Sequence, residues 1–140
     1  MYLLDTNVVS EMRRGIKAHP GIRAFWQSAR TEDIYIAVQT IGEIRQGVES
    51  IRKRGDRQQA GFLEAWLDEV VERYDDQILD FDIECAQVWG RLMALDPQHP
   101  IDKQIAAIAL MHDLIVVTRN TSDFEGTGSK LLDPFTLTSK

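Results

Sequence analysis

Tyr2-Leu3-Leu4-Asp5-Thr6-Asn7 runs a short apolar stretch straight into an acid and two small polar residues. A brief, continuous apolar run, rather than an alternating one, is the pattern of a strand covered on both faces. Ile34-Tyr35-Ile36-Ala37-Val38 and Leu114-Ile115-Val116-Val117 share that form and are rich in β-branched residues. Ile78-Leu79-Asp80-Phe81 is a weaker strand, and Lys130-Leu131-Leu132 is a candidate edge. Between the runs the apolar period changes to that of helices. Ile41, Ile44, Val48 and Ile51 form one stripe, and Phe62, Trp66, Val70 and Tyr74 a second, with Leu63, Leu67 and Val71 beside it. Val88, Trp89, Leu92 and Leu95 form a third, and Ile101, Ile105, Ile108, Ala109 and Met111 a fourth. Strand alternating with helix predicts an α/β fold with a mostly parallel central sheet. The tryptophans and Phe62 fall mostly on these stripes and read as core, since a base-stacking platform would need them exposed.

The 140 residues read as a single domain, 1–140, long enough to bury roughly two-thirds of the surface of the unfolded chain. No apolar run approaches the roughly 18 residues of a membrane span, and Met1-Tyr2-Leu3-Leu4-Asp5 lacks the basic start of a signal peptide. The one cysteine, Cys85, has no internal partner and reads as a small core hydrophobe, which suits a reducing cytoplasm. The net charge of −6 argues against a nonspecific nucleic-acid binder. A bound divalent ion reverses the local field, however, so an acidic chain can still accept phosphate at one spot.

The placement of the acids carries the chemistry. Asp5 ends the first strand, Glu43 lies in the first turn of the helix after the second, and Asp102 opens the last helical pattern. Asp123 follows the strand that ends at Val117. In a parallel α/β sheet, strand carboxyl ends and helix N-termini share one edge, where ligands bind. Each acid also has a local explanation. Asp102 reads equally as an N-cap, Thr40 with Glu43 as a capping box, and Asp123 as the cap of a short turn. Taken together, four acids at one edge would repel each other unless a cation neutralises them or their pKa values rise. Hard ions such as Mg²⁺ and Mn²⁺ suit oxygen donors of this kind. His19, His99 and His112 show no zinc-ligand spacing and read as surface or capping residues.

Four motifs in order carry a resemblance. They are Leu4-Asp5-Thr6-Asn7-Val8-Val9-Ser10, Thr40-Ile41-Gly42-Glu43-Ile44-Arg45-Gln46-Gly47, Asp102-Lys103-Gln104-Ile105-Ala106-Ala107-Ile108-Ala109, and Val117-Thr118-Arg119-Asn120-Thr121-Ser122-Asp123-Phe124. Their order and spacing resemble the PIN-domain toxins of the VapC type over essentially the whole chain. Leu132-Asp133-Pro134-Phe135 also resembles the final strand of that family. The resemblance implies a three-layer α/β/α sandwich, Mg²⁺-dependent cleavage of RNA (Mn²⁺ substituting), a homodimer, and inhibition by a cognate antitoxin. It implies that Asp5, Glu43 and Asp102 are the recurrent acids. Asn120 and Asp123 both stand near the variable fourth position, with Asp123 read as the carboxylate and Asn120 as its polar neighbour. Thr6, Asn7 and Thr118 are the supporting polar residues. On this reading one or two ions bind Asp5 and Asp102 directly, with Glu43 and Asp123 acting through water or completing a second site. Arg45 and Arg119 either contact phosphate or form surface ion pairs, and the basic run Arg52 to Arg57 either meets RNA backbone or is a solvated helix end.

Two rivals remain at this level. An aspartyl-nucleophile phosphohydrolase would carry Asp-x-Asp after the first strand, where this chain has Asp5-Thr6-Asn7. A non-catalytic partner-binding module would show no melting shift with divalent metal.

Overall fold

The computed structural model describes residues 1–137. Its sheet has five strands, all parallel, in the order β3-β2-β1-β4-β5. These are β1 (Tyr2–Leu4), β2 (Ile34–Ala37), β3 (Ile78–Leu79), β4 (Ile115–Val117) and β5 (Lys130–Leu132). Helices α1 (Thr6–Met12) and α2 (Pro20–Ser28) join β1 to β2. Helices α3 (Val38–Lys53) and α4 (Arg57–Arg73) join β2 to β3, and α5 (Ile83–Leu95) and α6 (Pro100–His112) join β3 to β4.

The alternation of side chains along each strand builds two separate cores. Leu4, Ile34, Ile36 and Val117 face Val8, Ile22, Phe25, Ile44, Leu67 and Val70 of α1 to α4. Leu3, Ala37 and Val116 face Cys85, Ile105 and Ile108 of α5 and α6. Adjacent residues on β1 and β4 thus serve opposite layers, as a period of two requires. The central strands are covered on both faces, which is why they read as unbroken apolar runs. The sheet is the middle layer of an α/β/α sandwich. Among the described residues, no helix is long and apolar enough to cross a membrane.

Several local expectations shift. Phe62 is 66% exposed and not core. The buried residues of α4 are Ala60, Leu67 and Val70, with Tyr74 just beyond its end, and this spacing turns Phe62 about 100° per residue away from the core. All three tryptophans are half-buried against the two cores. Leu95, Ile101 and Met111 of the other stripes are also exposed. Val38 belongs to α3, not to β2, because the chain passes from strand to helix with no loop. That early start removes the capping box: Ala37 is the N-cap and makes no side-chain bond, and Glu43 stands in the second turn. The Thr40 hydroxyl is fully buried, without a hydrogen-bond partner among the described residues. Pro134 starts a 3-10 turn after β5, so the last strand ends at Leu132.

Candidate metal centre

The strand order reverses between β1 and β4. The connections from β1 run outward to β2 and β3, and the next crossover returns to the other side of β1. At such a switch point the loops leaving neighbouring strands part and open a crevice at the carboxyl edge. Asp5 leaves β1 there and Thr118 leaves β4.

Asp5 is 4% exposed and fully engaged. It caps α1, its Oδ1 accepting from Thr6 N at 2.9 Å. Its Oδ2 accepts from the Thr118 hydroxyl at 2.8 Å and from Asn7 Nδ2 at 3.2 Å. The Asp5 backbone N–H donates to Val117 O at 2.9 Å, carrying the sheet ladder one step past the strands. The Thr118 hydroxyl in turn accepts from Asn120 N at 3.0 Å, and Asn7 Oδ1 accepts from Arg119 N at 3.1 Å. The two loops are therefore stitched by side chains at the crevice. Asp5 Oδ2 accepts two of these bonds, while Oδ1 accepts one and retains lone-pair capacity.

Glu43 reaches the same edge from the second turn of α3, where the Thr6 hydroxyl donates to its Oε1 at 2.6 Å. Asp102 lies in the first turn of α6, whose N-cap is His99, not Asp102 itself. Asp123 sits in the 3-10 turn Thr121–Phe124 beyond β4. Burial first, then the negative charges of Asp5, Asp123 and Glu43, push the Asp102 carboxyl up to about 6, with His99 opposing. The charges of Asp5, Asp123 and Glu43 are thus all felt at the Asp102 carboxyl.

The donor set fits a hard divalent cation. It consists of carboxylate oxygens with hydroxyl and amide neighbours, and its crowding is what a cation relieves.

Arg45 takes the ion-pair alternative of the sequence reading. Arg45 lies in an ion-pair cluster between α3 and α4, with Glu64 at 2.5 Å, Glu49 at 3.2 Å and Asp68 at 3.9 Å. Arg119 is exposed, its guanidinium 4.5 Å from the Phe135 ring centroid. His99 was read as a surface or capping residue, yet its ring lies between Asp102 and Asp123, at 3.9 and 3.7 Å. The spacing His99-Pro100-Ile101-Asp102 was the available signal, since residues three apart at a helix start share a face.

The PIN-domain family model matches residues 2–129. The chain belongs to the PIN-domain family. Among PIN relatives, the VapC ribonuclease Y4jK of Sinorhizobium fredii is 30% identical, with 96% of this chain and 98% of that protein aligned. The toxin FitB of Neisseria gonorrhoeae is 29% identical, covering 96% of this chain and 99% of that one. The crystal structure of FitAcB from the same organism overlays with a TM-score of 0.85 and 29% identity, covering 98% of this PIN chain and all of that one.

Proposed function

We propose that this PIN domain is a Mg²⁺-dependent endoribonuclease acting as the toxin of a toxin–antitoxin pair, with Mn²⁺ able to replace Mg²⁺. The observation that carries the reading is the convergence of Asp5, Glu43, Asp102 and Asp123 at the switch point, expressed in the raised Asp102 carboxyl. The relatives named VapC ribonuclease and toxin FitB agree with it.

Asp5 and Asp102 would hold the ion directly, with Glu43 and Asp123 acting through water or completing a second site. When bound, the metal lowers the pKa of a coordinated water and polarises the scissile phosphate. The rest falls to the chain itself. Thr118 and Asn7 hold Asp5 in one rotamer, and Thr6 does the same for Glu43. Such fixed placement is worth more than proximity alone, because the donors need no reorganisation when substrate arrives. Asn120 supports the site through its backbone N–H on Thr118. Arg119, exposed and lying over the Phe135 ring, would be the arginine that meets phosphate, whereas Arg45 is held by three carboxylates. The phosphohydrolase rival weakens on the same geometry. Asn7 occupies the position of its second acid and spends both ends of its amide on Asp5 and Arg119.

For the antitoxin we assign a groove of ≈ 450 Å³ on the α1–α2–α4 layer. Its floor is apolar, with Leu4, Ile36, Trp26 and Trp66, and its rim carries Arg13, Arg23 and Arg73. That combination fits an amphipathic segment with acidic residues. The homodimer would use the exposed apolar side chains of α5 and α6, including Ile83, Leu95 and Leu110. A cytoplasmic site of action follows from the RNA substrate.

Incubating the protein with total RNA and Mn²⁺, with and without chelator, and mapping the cut ends tests the activity. Cleavage should need the ion and vanish in Asp5→Asn, whose folded state circular dichroism checks. Equal cleavage in chelator, or an active Asp5→Asn, refutes the reading.

A further inference from the structure

We infer that His99 is a nitrogen ligand of the metal at this site, so that His99, Asp102 and Asp123 form a mixed nitrogen–oxygen centre favouring Mn²⁺ and later transition ions over Mg²⁺. The inference rests on the metal-binding part of the proposed function and adds a donor of a different chemical class. Among the described residues, one candidate ligand atom from each of His99, Asp102 and Asp123 lies within 4.8 Å of the others. A divalent ion with bonds near 2.0–2.2 Å holds its ligand atoms roughly 3–3.5 Å apart. The nitrogen that binds must be one of the two, since Nδ1 faces Asp102 and Nε2 faces Asp123. With one atom from each residue the set spans up to 4.8 Å and needs to close by about 1–2 Å, within reach of side-chain rotation.

The ring nitrogens are available. His19 and His99 both occupy N-cap positions, but their side chains behave differently. His19 Nδ1 accepts from Gly21 N at 3.0 Å, whereas the His99 side chain makes no capping bond. Among the described residues the ring nitrogens make no hydrogen bond, and Nδ1 lies 3.9 Å from Asp102 Oδ2 and Nε2 3.7 Å from Asp123 Oδ1.

The backbone presents the ring in one direction. His99 adopts φ 55, ψ 59, left-handed for a residue with a side chain, and precedes Pro100, which disfavours the right-handed helical region there. The turn behind it is anchored by Lys103. That side chain is 4% exposed, and its ammonium donates to Gln98 O and lies 3.4 Å from Asp96 Oδ2. A ligand on a tethered turn loses little conformational freedom on binding. Imidazole suits manganese, cobalt, nickel and zinc, while Mg²⁺ keeps oxygen ligands and water. The site is therefore graded, with oxygens near Asp5 and a nitrogen beyond Asp102.

The test loads the full chain with Mn²⁺ and records electron spin-echo envelope modulation, alongside calorimetric titrations with Mn²⁺ and with Mg²⁺. Wild type should show ¹⁴N modulation from a coordinated imidazole. His99→Ala and His99→Gln should both lose it. Their Mn²⁺ affinity should fall at least about tenfold, the loss that removing even an outer-shell partner causes, while Mg²⁺ affinity changes much less. His99 is exposed enough for both variants to fold, which circular dichroism checks. Mn²⁺ bound without ¹⁴N modulation, or equal weakening of Mn²⁺ and Mg²⁺, overturns the inference and leaves the oxygen site standing. No binding of either ion to wild type overturns both.

Discussion

Replacing Asp102 by Asn should stabilise the metal-free protein at neutral pH. The Asp102 carboxyl is pushed from the ordinary 3.8 up to about 6. Ionising it in the folded state therefore costs more than in the unfolded chain. Two pKa units correspond to about 3 kcal/mol at 1.36 kcal/mol per unit. Water reaches a quarter of the side chain (25%) and screens part of this. The carboxylate also gains something at the N-terminus of α6, which the amide forgoes. A net gain of about 1–2 kcal/mol remains. Because the folded pKa is the higher one, the folded state binds the extra proton. Stability is then fully present below the unfolded pKa near 4 and is lost as pH rises through about 6. Wild type in chelator should melt higher at pH 5 than at pH 7.5, and Asp102→Asn should lose much of that slope. At pH 7.5 the variant should melt about 3–8 °C above wild type for a chain of this length. Excess Mn²⁺ should raise wild type by about 2.7 kcal/mol at a hundred times Kd and reverse the order. Urea or thermal melts followed by circular dichroism read all of this. A wild-type protein in chelator that is no less stable at pH 7.5 than at pH 5, with Asp102→Asn no more stable than wild type, would refute a shared carboxylate field.

Gly21→Ala should destabilise by about 1–3 kcal/mol in urea melts, as overpacking does. An added Cβ would stand 2.0 Å from Pro134 O, a backbone atom that cannot simply rotate away. Thr118→Val should cost about 1–3 kcal/mol, because the Asn120 N–H loses its acceptor and Asp5 a donor in a buried place. It should also lower kcat more than it raises KM, since Asp5 is then less firmly held. Arg45→Ala should leave both melting and RNA cleavage close to wild type, because exposed pairs are screened by water and salt. Arg119→Ala should raise KM for RNA in the same assay, and the reverse pattern would exchange the roles of the two arginines.

The strand runs and their flanking signals determined the class of fold. Leu3-Leu4 and Val116-Val117 are apolar on both sides because each neighbouring pair feeds a different core. That two-sided demand is local enough to be visible in one dimension. Asp5 and Asp102 were visible for the same reason, since one directly follows a strand and the other lies in the first turn of a helix. Tertiary structure alone decided the rest. Helix faces set by a few tens of degrees turned Phe62 and Leu95 outward, and stripe counting does not resolve such angles. A strand passing into α3 without a loop moved the start of that helix ahead of Thr40 and dissolved its capping box. Two of the three partners of Arg45, Glu64 and Asp68, come from α4, nineteen or more residues further along the chain. The ring of His99 joins Asp123 only because α6 starts beside the turn after β4. Local pattern reports which surfaces must be buried, while the neighbours of a given polar atom depend on how separate elements meet in space.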